Sequence, residues 1–142
     1  MGQADVINFD VVMLLVGTND ISPRYNPPLQ VSEIVNMMEV LKQEIQKRNP
    51  DCEVRFMELV PRYCDYVPWA KEEVIRRVRA LHQEMLTRPF LHQKSQPLLR
   101  IHRLFLSHGI PLEAYFSPDH LHLSILGKEK LADFLTNVVR FL

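Results

Sequence analysis

The residues best suited to chemistry stand near the two ends of the chain. Towards the C-terminus, Asp119 and His122 lie three positions apart in Pro118-Asp119-His120-Leu121-His122-Leu123-Ser124. One helical or turn-like revolution brings both side chains to one face. A carboxylate beside an imidazole holds its tautomer and stabilises the imidazolium, which is how a catalytic base is oriented. His120 and His122 also have a spacing that metal ligands use, but no third ligand stands at a diagnostic distance along the chain, so neither a metal nor a cofactor is called for. Towards the N-terminus, Gly17-Thr18-Asn19-Asp20 ends an apolar run. Gly17 permits a conformation that other residues resist, and Thr18, Asn19 and Asp20 can bond the nearby backbone or point a polar group at a substrate.

Such groups need elements to position them. Val11 to Val16 is apolar throughout and has no polar face, the pattern of a strand buried on both sides in a helix-covered parallel sheet. The Gly17–Asp20 turn then sits at the carboxyl end of that strand, where open α/β sheets place their ligands. Ile21 to Gln30, with Pro23, Pro27 and Pro28, reads as an ordered surface loop. Val31, Ile34, Val35, Met38, Leu41 and Ile45 recur at helical spacing, and Asn49-Pro50 closes that helix. Cys52 to Val60 reads as a second strand with Val54 and Phe56 inward, ended by Pro61, so that strand, helix and strand form a crossover unit. Pro68 suits the start of a second helix, whose stripe Val74, Ile75, Val78, Leu81 and Met85 runs until Arg88-Pro89.

The stretch from Phe90 to Gly109 suggests no strand. Its Leu98, Leu99, Ile101, Leu104, Phe105 and Leu106 suit a short helix capped by His108-Gly109. Pro111 to Phe116 has room for a brief third strand. Leu126, Leu131, Phe134, Leu135, Val138 and Val139 then describe an amphipathic C-terminal helix with Gly127 near its start. The basic run Arg76-Arg77 to Arg79 reads as a solvated helix face, and His82, His92, His102 and His108 as surface or core-edge residues.

Composition narrows the class further. The chain has 142 residues, 46% hydrophobic and 24% charged, which suits one soluble domain over residues 1–142 with a single core. Lys plus Arg and Asp plus Glu both number 17, so the formal net charge is zero and nothing calls for a nucleic-acid partner. Cys52 and Cys64 are the only thiols, too few for a disulfide scaffold, which points to a reduced, cytoplasmic setting. The N-terminus lacks a basic signal region, Val6 stands where a myristoylation pattern wants Ser or Thr, and no run approaches the roughly 18 apolar residues of a membrane span.

Gly17-Thr18-Asn19-Asp20 after a buried strand, followed by Asp119-x-x-His122-Leu123-Ser124 before a terminal helix, resembles in order and spacing two blocks of the SGNH, or GDSL-type, esterase and lipase family. The resemblance covers nearly the whole chain. It implies an α/β fold, a flavodoxin-like three-layer α/β/α sandwich on a parallel sheet. It implies Asn19 as an oxyanion-hole donor, His122 as general base, Asp119 as its orienting acid, and a small-molecule ester as substrate. A weaker likeness, carried by Phe105-Leu106 to Gly109 and Phe116-Ser117-Pro118-Asp119 to Gly127, is to esterase-type domains encoded in some animal retroelements.

The family's serine nucleophile stands in a Gly-Asp-Ser strand end and a second oxyanion donor in a glycine block, and this sequence has neither. The resemblance therefore implies an N-terminally truncated domain without the first two strands of the family fold. In the family's sheet order, 2-1-3-4-5, the missing first strand lies beside Val11–Val16, whose edge is then open to self-association. Ser22, Ser107, Ser117 and Ser124 offer hydroxyls, though none on the family's nucleophile strand. Two functions follow as expectations: hydrolysis of acyl or acetyl esters with a serine from outside this chain, or an inactive remnant acting as a binding or interaction module.

Overall fold

β1 (Val11–Leu14), α1 (Val31–Arg48) and β2 (Glu53–Phe56) form the first unit, in which the two strands pair in parallel with Val11 opposite Glu53 and Leu14 opposite Phe56. The computed structural model describes residues 10–23, 28–62, 71–93 and 96–140. α1 begins where the apolar spacing begins. The Glu33 carboxylate accepts the Gln30 N–H at 3.2 Å at its start, and Lys47 and Arg48 lie at its negative end. α2 (Lys71–Thr87) follows, with Glu72 and Glu73 in its first turn and Val74, Val78, Leu81 and Met85 buried. Pro68 lies outside the described residues.

The stretch after α2 departs from the short helix its leucines suggest. It holds a small hairpin of β3 (His92–Gln93) and β4 (Gln96–Pro97), then a strand position at Leu99. The Leu99 N–H donates to the Phe56 carbonyl at 2.8 Å, and its own carbonyl accepts from the Glu58 N–H at 2.9 Å. A third parallel position is thereby added beside β2. Consecutive Leu98 and Leu99 turn to opposite faces, joining different core clusters, which is the two-residue period of a strand rather than a helical stripe. Pro97 also cannot serve a helix interior. Its helical content is confined to two 3₁₀ turns, Pro89–Leu91 and His102–Phe105.

β5 (Leu106–Ser107) and β6 (Ile110–Pro111) form a second hairpin. His108 and Gly109 are its two-residue turn, with φ of 52° and 79°, where a helix cap was suggested by sequence. Only Pro111 of the suggested third strand is in a strand; Glu113–Tyr115 form a 3₁₀ turn and Phe116 bridges antiparallel to Leu123. α3 (Ile125–Arg140) closes the described chain.

Three layers result. On one face of the sheet, Val12, Leu14, Val54 and Phe56 pack against Ile34, Val35 and Met38 of α1 and the buried stripe of α2. On the other, Met13, Met57 and Leu99 meet Leu131, Phe134, Leu135 and Val138 of α3. Helices cover both faces of a parallel sheet, which is the flavodoxin-like α/β/α arrangement. None of the described residues pairs with the outer side of β1, and no described helix is long and apolar enough to cross a membrane.

Candidate active site

Asp119 organises the loop that carries it. Its Oδ1 accepts the N–H groups of Leu121 (2.9 Å) and His122 (3.0 Å), while Oδ2 takes the His122 Nδ1–H at 2.6 Å. The loop is closed at its base by Ser117 N–H to His122 O and His120 N–H to Ser117 O, both 2.8 Å, and by the Phe116–Leu123 bridge. His120 takes a φ of 58° to complete the turn. Phe105 holds this assembly against the preceding 3₁₀ turn, with its ring centroid 5.8 Å from Tyr115 and 6.3 Å from Phe116.

Asp119 sets the tautomer of His122. The His122 hydrogen bond, followed by the two backbone amides, holds the Asp119 carboxyl well below the usual carboxylate range. An ionised carboxylate can only accept, so the imidazole proton sits on Nδ1 and Nε2 presents its lone pair. The side chains are 67% (His122) and 47% (Asp119) exposed, so that lone pair is reachable from outside.

The turn that carries Asn19 leaves the carboxyl end of β1. Gly17 takes φ +107°, and its carbonyl accepts from the N–H groups of Asp20 (3.1 Å) and Ile21 (3.2 Å). A Cβ there would meet nothing closer than 3.5 Å, so it is the backbone conformation, not space, that requires glycine. Two arginines take up the surrounding carbonyls. Arg62, 4% exposed, donates to Thr18 O. Arg77 donates to Ile21 O at 2.6 Å, to Asp20 O at 3.3 Å and to Leu29 O. Asn19 is exposed, and its side-chain amide makes no hydrogen bond among the described residues.

Of the three residues singled out by sequence, Asp119 and His122 are in direct contact, and Asn19 stands on a separate loop without a hydrogen bond to either. Asn19 follows β1 directly, whereas Asp119 and His122 come after the second hairpin and the Glu113–Tyr115 turn, in the loop closed by Phe116 and Leu123. Sequence reading missed the arginines: Arg76 is solvated as expected, but Arg77 is half-buried beneath the loop it braces. Its partners lie 48 to 57 positions away, so no local spacing announces them.

Ser22, Ser117 and Ser124 are taken up by the fold. Ser22 is 1% exposed, and the hydroxyls of Ser117 and Ser124 donate to the carbonyls of Leu123 and Ala114. Ser107 lies exposed on β5, and Cys64 is outside the described residues. Burial pushes the Cys52 thiol up, away from nucleophilic chemistry. Among the described residues no cluster of three or more His, Cys, Asp or Glu side chains is arranged to hold a metal ion.

A family model described as the GDSL-like Lipase/Acylhydrolase family matches residues 1–130. Among solved structures, the chain is similar to a Streptococcus pneumonia protein provisionally described as a platelet activating factor, with TM-score 0.68 and 21% identity over 91% of this chain and 59% of that one. It is similar to the lipase/acylhydrolase from Enterococcus faecalis, with TM-score 0.61 and 19% identity over 92% of this chain and 60% of that one. A carbohydrate esterase family 3 structure from Talaromyces cellulolyticus gives TM-score 0.59 and 14% identity over 94% of this chain and 60% of that one. At these identities the likeness is one of fold. The chain spans about three-fifths of the length of each of these structures. A search of curated proteins gave no significant match.

Proposed function

The chain belongs to the GDSL-like lipase/acylhydrolase family, and from that membership we propose that it forms part of an ester hydrolase acting on acyl or acetyl esters by a Ser-His-Asp mechanism. The observation that carries the reading is the 2.6 Å contact that sets His122 on Asp119 with Nε2 turned outward. The nucleophile is a serine supplied by a segment other than these 142 residues, which contain no Gly-Asp-Ser. Its hydroxyl attacks the acyl carbon and gives its proton to His122 Nε2. Asp119 stabilises the imidazolium, and the Asn19 amide donates to the tetrahedral oxyanion, an interaction worth about 3 kcal/mol in comparable sites. The imidazolium then protonates the departing alcohol, and water releases the acyl group by the same route.

A chromogenic short-chain ester, p-nitrophenyl acetate, tests this in two proteins: the chain alone, and the chain extended by a segment bearing a Gly-Asp-Ser strand. Turnover is expected in the extended protein, falling by about a thousandfold or more in His122→Ala and by about a hundredfold in Asn19→Ala. The engaged hydroxyls of Ser117 and Ser124 favour a second reading, a non-catalytic module that retains the fold. An extended protein that folds yet shows the same background hydrolysis with and without His122 selects that module instead.

The same reading gives the open side of β1 a partner, either a neighbouring strand of the longer domain or the β1 of a second copy. Sedimentation velocity on the 142-residue chain is expected to show self-association that the extended protein loses. A monodisperse monomer at every concentration overturns it.

A further inference from the structure

Away from Asn19, Asp119 and His122, a cavity of about 560 Å³ opens between α2, the chain leaving β2 and the segment from Arg100 to Pro111. Two of its lining side chains, His82 and His102, are anchored on the backbone of one residue, Leu59. The Leu59 N–H donates to His82 Nε2 at 3.0 Å, and the Leu59 carbonyl accepts from His102 Nδ1–H at 2.8 Å. The two rings stand edge to face, 5.0 Å apart. Beside them Glu58, 4% exposed, accepts from Arg100 Nε at 2.7 Å and from the His102 N–H at 3.3 Å. The one carboxylate in the cavity is therefore already compensated.

The remaining charge is positive. Arg62, Arg79, Arg100 and Arg103 all line the cavity. Arg62 is held by Thr18 O and Arg100 by Glu58. Arg79 and Arg103 are exposed and have no acidic partner among the described residues. The lining also holds apolar side chains, Ile75 and Leu86 from α2 and Leu106 from β5, and Leu86 is 44% exposed. Guanidinium groups beside an aliphatic wall match a molecule with an anionic head and a short hydrocarbon tail, and the planar fork of arginine fits a carboxylate through two parallel hydrogen bonds. The volume lies within the range of small-molecule sites.

We propose that this cavity is a binding site for a small aliphatic carboxylate, its head on Arg79 and Arg103 and its chain along Ile75, Leu86 and Leu106. The site is separate from the Asp119–His122 pair and does not depend on ester turnover.

Titration calorimetry of the 142-residue chain with sodium octanoate tests the proposal, alongside octylamine and octyl phosphate as probes of the same length. Octanoate is expected to bind saturably and octylamine not at all. In the double variant Arg79→Gln, Arg103→Gln, octanoate affinity is expected to fall about tenfold or more, with the thermal unfolding midpoint unchanged because both side chains are exposed. Leu86→Asn is expected to weaken octanoate while leaving acetate unaffected. Absence of saturable octanoate binding, equal affinity in the folded double variant, equal binding of octylamine, or binding of octyl phosphate in place of octanoate would each overturn it.

Discussion

Gly127 shows how closely the Asp119–His122 loop is fitted to the helix behind it. A Cβ at this position would stand 2.1 Å from the Tyr115 carbonyl oxygen and 3.0 Å from its carbon. That same carbonyl accepts the Ser124 N–H at 2.9 Å, while the Ser124 hydroxyl accepts the Gly127 N–H at 3.1 Å and caps α3. Glycine to alanine in a helix ordinarily gains up to about 1 kcal/mol. Here backbone must move, and Gly127→Ala is expected to cost about 1–3 kcal/mol in urea unfolding; equal or greater stability would show that the approach is not required. The Asp119–His122 pair was legible in the sequence because both partners fall within one turn of chain. The need for Gly127 was not, since Tyr115 reaches it only through the fold of the intervening loop.

At the scale of elements, α2 is as much a brace for the Asn19 loop as a core helix. Its buried stripe was readable from spacing, whereas Arg77 sits one position before Val78 on a face that spacing alone assigns to solvent. Arg77→Met retains the aliphatic stem but removes every donor to Ile21, Asp20 and Leu29. Leaving those carbonyls short of partners is expected to cost about 1–3 kcal/mol and to speed amide exchange over Asp20–Ser22 more than in α1. Unchanged exchange there would mean that the turn holds itself. Long amphipathic elements such as α1 and α3 appear where their periodicity puts them. The region from Phe90 to Gly109 misled because its strand content is a bridge at Leu99 and two short hairpins, too brief for any period to register.

For the molecule as a whole, acid stability should turn on His82. Burial lowers its pKa from 6.5 to about 4, outweighing the upward pull of Glu58, with His102 and Arg100 reinforcing the decrease. The folded chain thus refuses a proton that the unfolded chain accepts below about 6.5. The resulting contribution is fully present above pH 6.5 and is lost progressively as pH falls towards 4, by about 3 kcal/mol at most. That is a large share of the roughly 5–15 kcal/mol typical of a folded domain. Asp119 works in a different window: its lowered pKa favours the folded state above the ordinary value of 3.8 and is lost only below it. Urea midpoints measured from about pH 7 down to about pH 4.5 therefore isolate the histidine. His82→Gln keeps an acceptor for the Leu59 N–H but cannot titrate, so its midpoint should fall less across that range than the wild type's. Parallel decreases in the two proteins would assign the acid sensitivity to groups other than His82.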